Sequence, residues 1–183
     1  MQPIEIQMLP CNASTNSVNM EHITNIVNRS FAASEEGIWM NGADRTTVKK
    51  IAEFTNSGEI AVARFKGRIV GCVRVQRIDE GTGEFGMLAV DGAYQRNGIA
   101  RELVRFAEQK CQNEYLRKMQ LELLIPCEFS HPSKVFLENW YHRIGYHRVY
   151  EESFDASYPR LARMLAVPCK FIVFQKRLSK RAL

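Results

Sequence analysis

Apolar and polar positions divide the chain into short strands and amphipathic helices. Ile4, Ile6 and Met8 alternate up to Pro10, which predicts a strand over residues 4–9. Ile23, Ile26, Val27 and Phe31 then recur at helical spacing, behind Ser17 or Asn19, either of which can cap the helix. Residues 32–45 show no period and read as a loop, and a second helix follows over residues 46–55 on Val48, Ile51 and Ala52. Strand-like runs at 59–65 and 68–78 are joined by Lys66-Gly67, a plausible hairpin turn. Residues 79–83 turn the chain into a further strand, 84–90, whose apolar run from Met87 to Val90 suits burial on both faces.

From Ile99 the period changes to that of a helix. Ile99, Ala100, Leu103, Val104, Phe106, Ala107 and Cys111 share one arc, and Arg101, Glu102, Arg105, Glu108 and Gln109 take the other. Residues 119–125 form an apolar strand ended by Pro126, and the intervening helix implies that it runs parallel to strand 84–90. His131-Pro132 opens another helix, with proline at its first position, which runs to about Arg143 and ends at Gly145. Strands at 146–151 and 171–178 complete the chain, and residues 156–166 between them read as partly helical. This order predicts an α/β domain covering residues 1–183, a mixed and mostly antiparallel sheet of about seven strands flanked by about four helices.

Composition changes this picture little. With 45% hydrophobic and 25% charged residues the chain reads as globular and soluble. A net charge of +5 raises the question of nucleic acid, but the basic residues are scattered and the densest group is the tail, Lys176, Arg177, Lys180 and Arg181; no nucleic-acid partner is expected. Five cysteines without a C-x-x-C pair point to reduced, mostly buried thiols, and no metal site is expected. There is no secretory signal pattern and no apolar run of membrane-spanning length, so the expected location is cytoplasmic, with no membrane partner.

The candidate chemistry lies between strand 84–90 and the helix at Ile99. The turn Gln95-Arg96-Asn97-Gly98-Ile99-Ala100 enters a helix whose first N–H groups lack partners, and with the helix dipole these can hold a phosphate or pyrophosphate. Gly98 permits close approach or a positive φ, and Arg96 and Arg101 could add charge-assisted bonds. An ordinary strand-to-helix turn would look the same in isolation.

Three patterns in order make the turn more specific. The turn matches the Q/R-x-x-G-x-G/A signature, Glu84 with Leu88-Ala89-Val90 matches an acidic residue followed by Leu-x-Val, and Trp140 to Tyr146 matches an aromatic-tyrosine helix end followed by glycine and an aromatic. Together they resemble the GNAT superfamily of acyl-CoA-dependent N-acyltransferases, well over about residues 59–152 and in outline elsewhere.

The resemblance implies the single-domain GNAT fold, with two central parallel strands splayed apart, and a transferase moving the acetyl group of the cosubstrate acetyl-CoA to a primary amine. By it, the backbones of Leu88, Ala89 and Val90 would line the pantetheine arm, with the Leu88 N–H facing the thioester carbonyl. Gln95, Arg96, Asn97, Gly98, Ile99, Ala100 and Arg101 would hold the pyrophosphate. Glu84 would be the general base, through a water, or else a half-exposed strand carboxylate. Tyr141 would be the general acid, or else a packed core aromatic. Lys134 stands near the position of a family asparagine and would either meet a cofactor phosphate or be solvated. Glu35, Trp39 and Met40, in the loop that overhangs the acceptor side, would suit a cationic amine with an apolar portion or form plain surface. The acceptor would be a small molecule or a peptide, and an exposed strand near the C-terminus could pair two copies into a homodimer. A domain that binds acyl-CoA as a regulatory ligand without turnover is the alternative.

Overall fold

A computed structural model describes residues 4–179. The strands are β1 (Glu5–Met8), β2 (Ile60–Phe65), β3 (Arg68–Arg77), β4 (Thr82–Val90), β5 (Lys118–Pro126), β6 (His147–Ser153) and β7 (Cys169–Arg177). They form one sheet in the order β1-β2-β3-β4-β5-β7-β6. The helices are α1 (Ser17–Ser34), α2 (Val48–Asn56), α3 (Ile99–Asn113) and α4 (Pro132–Arg143), followed by two single turns, α5 (Phe154–Ser157) and α6 (Pro159–Ala162). The α/β fold expected from the sequence, a mixed and mostly antiparallel seven-stranded sheet with two parallel central strands, is what the chain adopts. The partly helical segment resolves into α5 and α6. Lys180 and Arg181 of the basic tail lie outside the described residues.

Each face of the sheet is covered by the helices whose apolar stripes match it. On one face α3 packs Leu103, Val104, Ala107 and Cys111 against Val73, Phe85 and Met119, joined by Tyr141 of α4. Gly83 allows this, because a Cβ there would clash with the Cys111 sulfur. On the other face Met20, Ile23 and Val27 of α1 and Ile51 of α2 lie on Val62, Cys72 and Ala89. A smaller cluster of Ile38, Leu124, Phe154 and Phe171 extends this second face beneath the α5–α6 turns. Lys170 to Gln175 of β7 lie between β5 and β6, with only the two ends of the strand paired on one side, so the exposed strand near the C-terminus is β6, at the edge.

β4 and β5 are parallel but pair only at Thr82↔Lys118, Gly83↔Met119 and Glu84↔Gln120. Beyond that point β4 keeps β3 and β5 keeps β7, and the two inner edges part. The splay is sharpened by a bulge: Met87 and Leu88 oppose the single residue Val73, and Met87 takes a φ of 51°. A non-glycine residue in that region is strained, and such strain collects where a backbone must be aimed.

Among the described residues no helix is long and apolar enough to cross a membrane, and no group of three or more His, Cys, Asp or Glu could hold a metal ion.

Candidate active site

The bulge decides which backbone groups enter the gap between β4 and β5. The Ile78 N–H donates to Thr82 O at 3.0 Å and the Asp91 N–H to Val70 O at 2.9 Å, so both ends of β4 turn these residues toward β3. Strand alternation with one inserted residue then turns Leu88 and Val90 away from β3, into the gap, and Ala89 toward β3. Their N–H and C=O groups there have no strand partner, and a polar backbone group away from water needs one. The gap is therefore shaped for an added polyamide strand.

The turn that follows is wound tightly. Arg96 has φ 63° and Gly98, at the N-cap of α3, has φ 77° with no side-chain cap bond. Asn97 folds its amide back onto Tyr94 O and Gln95 O, both at 3.2 Å, instead of capping the helix. The first N–H of the helix to reach a backbone carbonyl is that of Glu102, to Gly98 O at 3.1 Å. The N–H groups of Ile99, Ala100 and Arg101 are left pointing out of the helix end, where its dipole favours an anion. Gln95, Arg96, Asn97, Gly98 and Arg101 are all exposed around them.

A row of polar side chains crosses the sheet on the α1–α2 face at the level where β4 and β5 part. Arg74 donates to Gln76 Oε1 at 2.6 Å, Gln76 to Glu84 Oε1 at 2.8 Å, Gln120 to Glu84 Oε2 at 3.2 Å, and Gln175 to Gln120 Oε1 at 2.8 Å. Both Glu84 oxygens thus accept amide hydrogen bonds. One step further along β5, on the same face, is Glu122, followed across the sheet by Val173 and Tyr150. Burial, then the charge of Glu84, push its carboxyl up to about 7, and Glu152 adds to the rise while a hydrogen bond from Tyr158 opposes it. Glu122 was not singled out in the sequence. Its signal is there: Gln120 and Glu122 alternate with apolar residues in MQLELLI, a polar stripe on a central strand.

Tyr141 is buried at the opposite face, its ring against Phe85, Trp140, Tyr146 and Phe174. Burial raises its hydroxyl well above the ordinary phenol value, which keeps it protonated.

Two expectations are corrected. Lys134 is neither solvated nor free for a phosphate, and Glu35 is not open to an acceptor, because the two meet each other. Lys134 Nζ lies 2.5 Å from Glu35 Oε1, with side chains 5% and 1% exposed. Trp39 Nε1 donates to Glu35 Oε2 at 2.5 Å, and Arg45 reaches the same oxygen at 3.6 Å with its guanidinium over the Trp39 ring. Burial lowers the lysine's proton affinity and Glu35 opposes that shift. Removing one partner would leave a buried charge alone, at a cost of about 3–5 kcal/mol, so the pair acts as a clamp between the end of α1 and the start of α4. Trp39 is drawn into that clamp, whereas Met40 remains exposed while its N–H donates to Met164 O at 2.8 Å. His131, at the N-cap of α4, lies 3.0 Å from Glu36 O through Nε2.

A profile described as Acetyltransferase (GNAT) family matches residues 21–131, more than half of the chain. No curated protein matches. Among solved structures, Ard1 from Thermoplasma volcanium shares 12% identity at a TM-score of 0.66, over 96% of this chain and 98% of its own. A GNAT family acetyltransferase from Elizabethkingia anophelis with acetyl-CoA bound shares 20% at 0.57, over 76% and 88%. N-acetylglutamate synthase from Neisseria gonorrhoeae, complexed with coenzyme A and N-acetyl-glutamate, shares 16% at 0.63 over 98% of this chain, which spans only 36% of that protein. Such identities speak to the fold alone. The family match instead covers β2 to β5, α3 and its turn, the elements that build the gap and the anion site, and by it the chain belongs to the GNAT family of acetyltransferases.

Proposed function

We propose that the protein transfers the acetyl group of acetyl-CoA directly to a primary amine. The observation that carries this reading is the joint presence, in one site, of an unpaired β4 edge and an anion-accepting turn at α3. An amide-bearing pantetheine arm fits the first and a pyrophosphate the second. The N–H groups of Ile99, Ala100 and Arg101 would hold the pyrophosphate, with Gln95, Arg96 and Asn97 around it, and Leu88 and Val90 would pair with the arm as one more strand, whereas Ala89, expected beside them, is turned toward β3. When bound, acetyl-CoA supplies an activated acyl carbon.

The chain's own groups then do the rest. Proximity and orientation can account for roughly 7–11 kcal/mol of such a barrier. The Leu88 N–H, turned into the gap, would donate to the thioester carbonyl oxygen and stabilise the charge that develops there as the amine nitrogen bonds to the acyl carbon. The amine must lose a proton. Glu84 was the expected base, but each of its oxygens already accepts an amide hydrogen bond, which fixes the carboxylate in the row between Gln76 and Gln120. Glu122, with its affinity near neutrality, takes the proton directly or through a water, and Glu84 supplies a fixed negative charge beside it. As the C–S bond breaks, Tyr141 donates a hydrogen bond or its proton to the departing sulfur. The acidic wall suits a cationic acceptor, a small molecule or a peptide. A second copy could pair along the open edge of β6, which sedimentation would reveal.

Calorimetric titration with acetyl-CoA, followed by thiol release against a panel of amines, tests this reading. Binding with release for any amine class supports it. Binding without release would leave a regulatory acyl-CoA domain, and the absence of binding would end the proposal.

A further inference from the structure

The connection from β6 to β7 does more than join two strands. Its far half pairs with the α1–α2 loop: Ala166 N–H donates to Ile38 O at 2.9 Å, and Trp39 bridges Leu165. Its near half, α5 and α6, holds one polar atom in a defined place. The Tyr158 ring stacks on the buried Phe154, centroids 5.7 Å apart at 26°, and stands edge-on to Phe171 at 5.4 Å. Phe154 is itself braced edge-on against Trp39 at 5.9 Å. Pro159 restricts the backbone of Tyr158, which sits at φ −137° and ψ 62°. From this frame the hydroxyl donates to Glu122 Oε2 at 3.2 Å. A phenylalanine would fill the same stack, so packing alone gives no reason for the hydroxyl.

We infer that Tyr158 is a positioning residue, holding the Glu122 carboxylate where it meets the incoming amine and making the β6–β7 connection part of the acceptor site. This rests on the reading of Glu122 as the proton acceptor. The groups that face Glu122 are Glu84 from β4, Glu152 and Tyr150 from β6, Tyr158 from the turns and the apolar Val173 from β7, while Arg74 of β3 acts on Tyr158 from beyond Gln76. Two carboxylates and burial favour the protonated acid, and the Tyr158 hydroxyl is the hydrogen-bond donor that favours the carboxylate.

The test is a carboxyl-carbon NMR titration of glutamate-labelled protein, with the Glu122 resonance assigned by its loss in Glu122→Gln, alongside the pH profile of kcat/KM. In Tyr158→Phe the Glu122 midpoint should rise by roughly half to one pH unit, the equivalent of one hydrogen bond. Activity at pH 6 should fall about three- to tenfold, with a smaller loss at high pH where the carboxylate is formed in any case. A purely structural tyrosine would lower Tm or alter KM at every pH and leave the midpoint in place, which overturns the inference. Should Tyr158→Phe fail to fold, 3-fluorotyrosine at position 158 keeps the ring and strengthens the donor, and must move the midpoint down; no movement again overturns it. The NMR reading needs no turnover. If no amine is acetylated yet the midpoint follows residue 158, the transfer reading fails and takes the acceptor-site role with it, leaving only the Tyr158–Glu122 hydrogen bond; if turnover persists and the midpoint is fixed, only the positioning fails.

Discussion

Two glutamates lie on one face of the sheet with opposite surroundings. Glu84 receives amide donors on both oxygens, whereas Glu122 is half-buried beside a like charge and receives one long hydrogen bond. The folded Glu122 carboxyl stands at about 7 against an ordinary 4.5, so the fold prefers it protonated. That contribution is complete below about pH 4.5 and is lost as pH rises through 7. Glu122→Gln should therefore melt higher than the parent at pH 8, by roughly 2–4 °C, with the gap closing below pH 5, while acetyl transfer collapses. Calorimetric scans at both pH values check this; a variant that melts lower at pH 8 would mean that the carboxylate is stabilised in the fold. Such pairs are poorly legible in a sequence. Gln76, Glu84, Gln120 and Gln175 come from four strands, and only their register aligns them. The same holds for Glu35 and Lys134, each read as a surface or ligand group, because a charge 99 positions away cannot be seen from either end.

At the scale of elements, the turn into α3 was legible because its chemistry is local. A glycine three residues after Gln95 and directly before an amphipathic run is enough to imply the helix end, and the chain supplies the positive φ that the glycine permits. Gly98→Ala would force a Cβ into the left-handed region at about 1–2 kcal/mol, although the space around the position is open. The variant should bind coenzyme A several-fold more weakly by calorimetry while keeping its far-ultraviolet spectrum, since relief of the strain would rotate the free N–H groups off the anion. Unchanged affinity would show that those groups do not bind it. The β4 bulge was not legible. Leu88-Ala89-Val90 looks like any apolar strand end, and the positive φ falls on Met87, which nothing in the residue type announces. The termini of β6 and β7 shifted by one or two residues for a similar reason, because pairing across the sheet, rather than the local apolar run, decides where a strand stops.

For the molecule as a whole, the sheet is a seam opened on purpose between two helical layers. α3 and α4 cover the face behind the gap, α1 and α2 the face before it, and the α5–α6 turns close the far end of the latter. The gap leaves two central strands each with one unpaired edge, an arrangement that forgoes hydrogen bonds in the free protein and regains them when a strand-like ligand enters. Hydrogen exchange should report this with single-residue contrast. The amides of Leu88 and Val90 face the gap and should exchange quickly in the free protein, then slow markedly with acetyl-CoA present. That of Ala89, between them in sequence but turned toward β3, should be slow in both states. Ligand at a hundredfold excess over Kd should also add about 2.7 kcal/mol of stability, so a uniform slowing across the sheet would reflect global stabilisation alone. Only the alternating pattern, fast-slow-fast becoming slow throughout, identifies the edge of β4 as the surface on which the cosubstrate lies. If Ala89 were the amide that changed, the register drawn through the Met87 bulge would be wrong by one residue, and the assignment of Leu88 to the thioester carbonyl would fall with it.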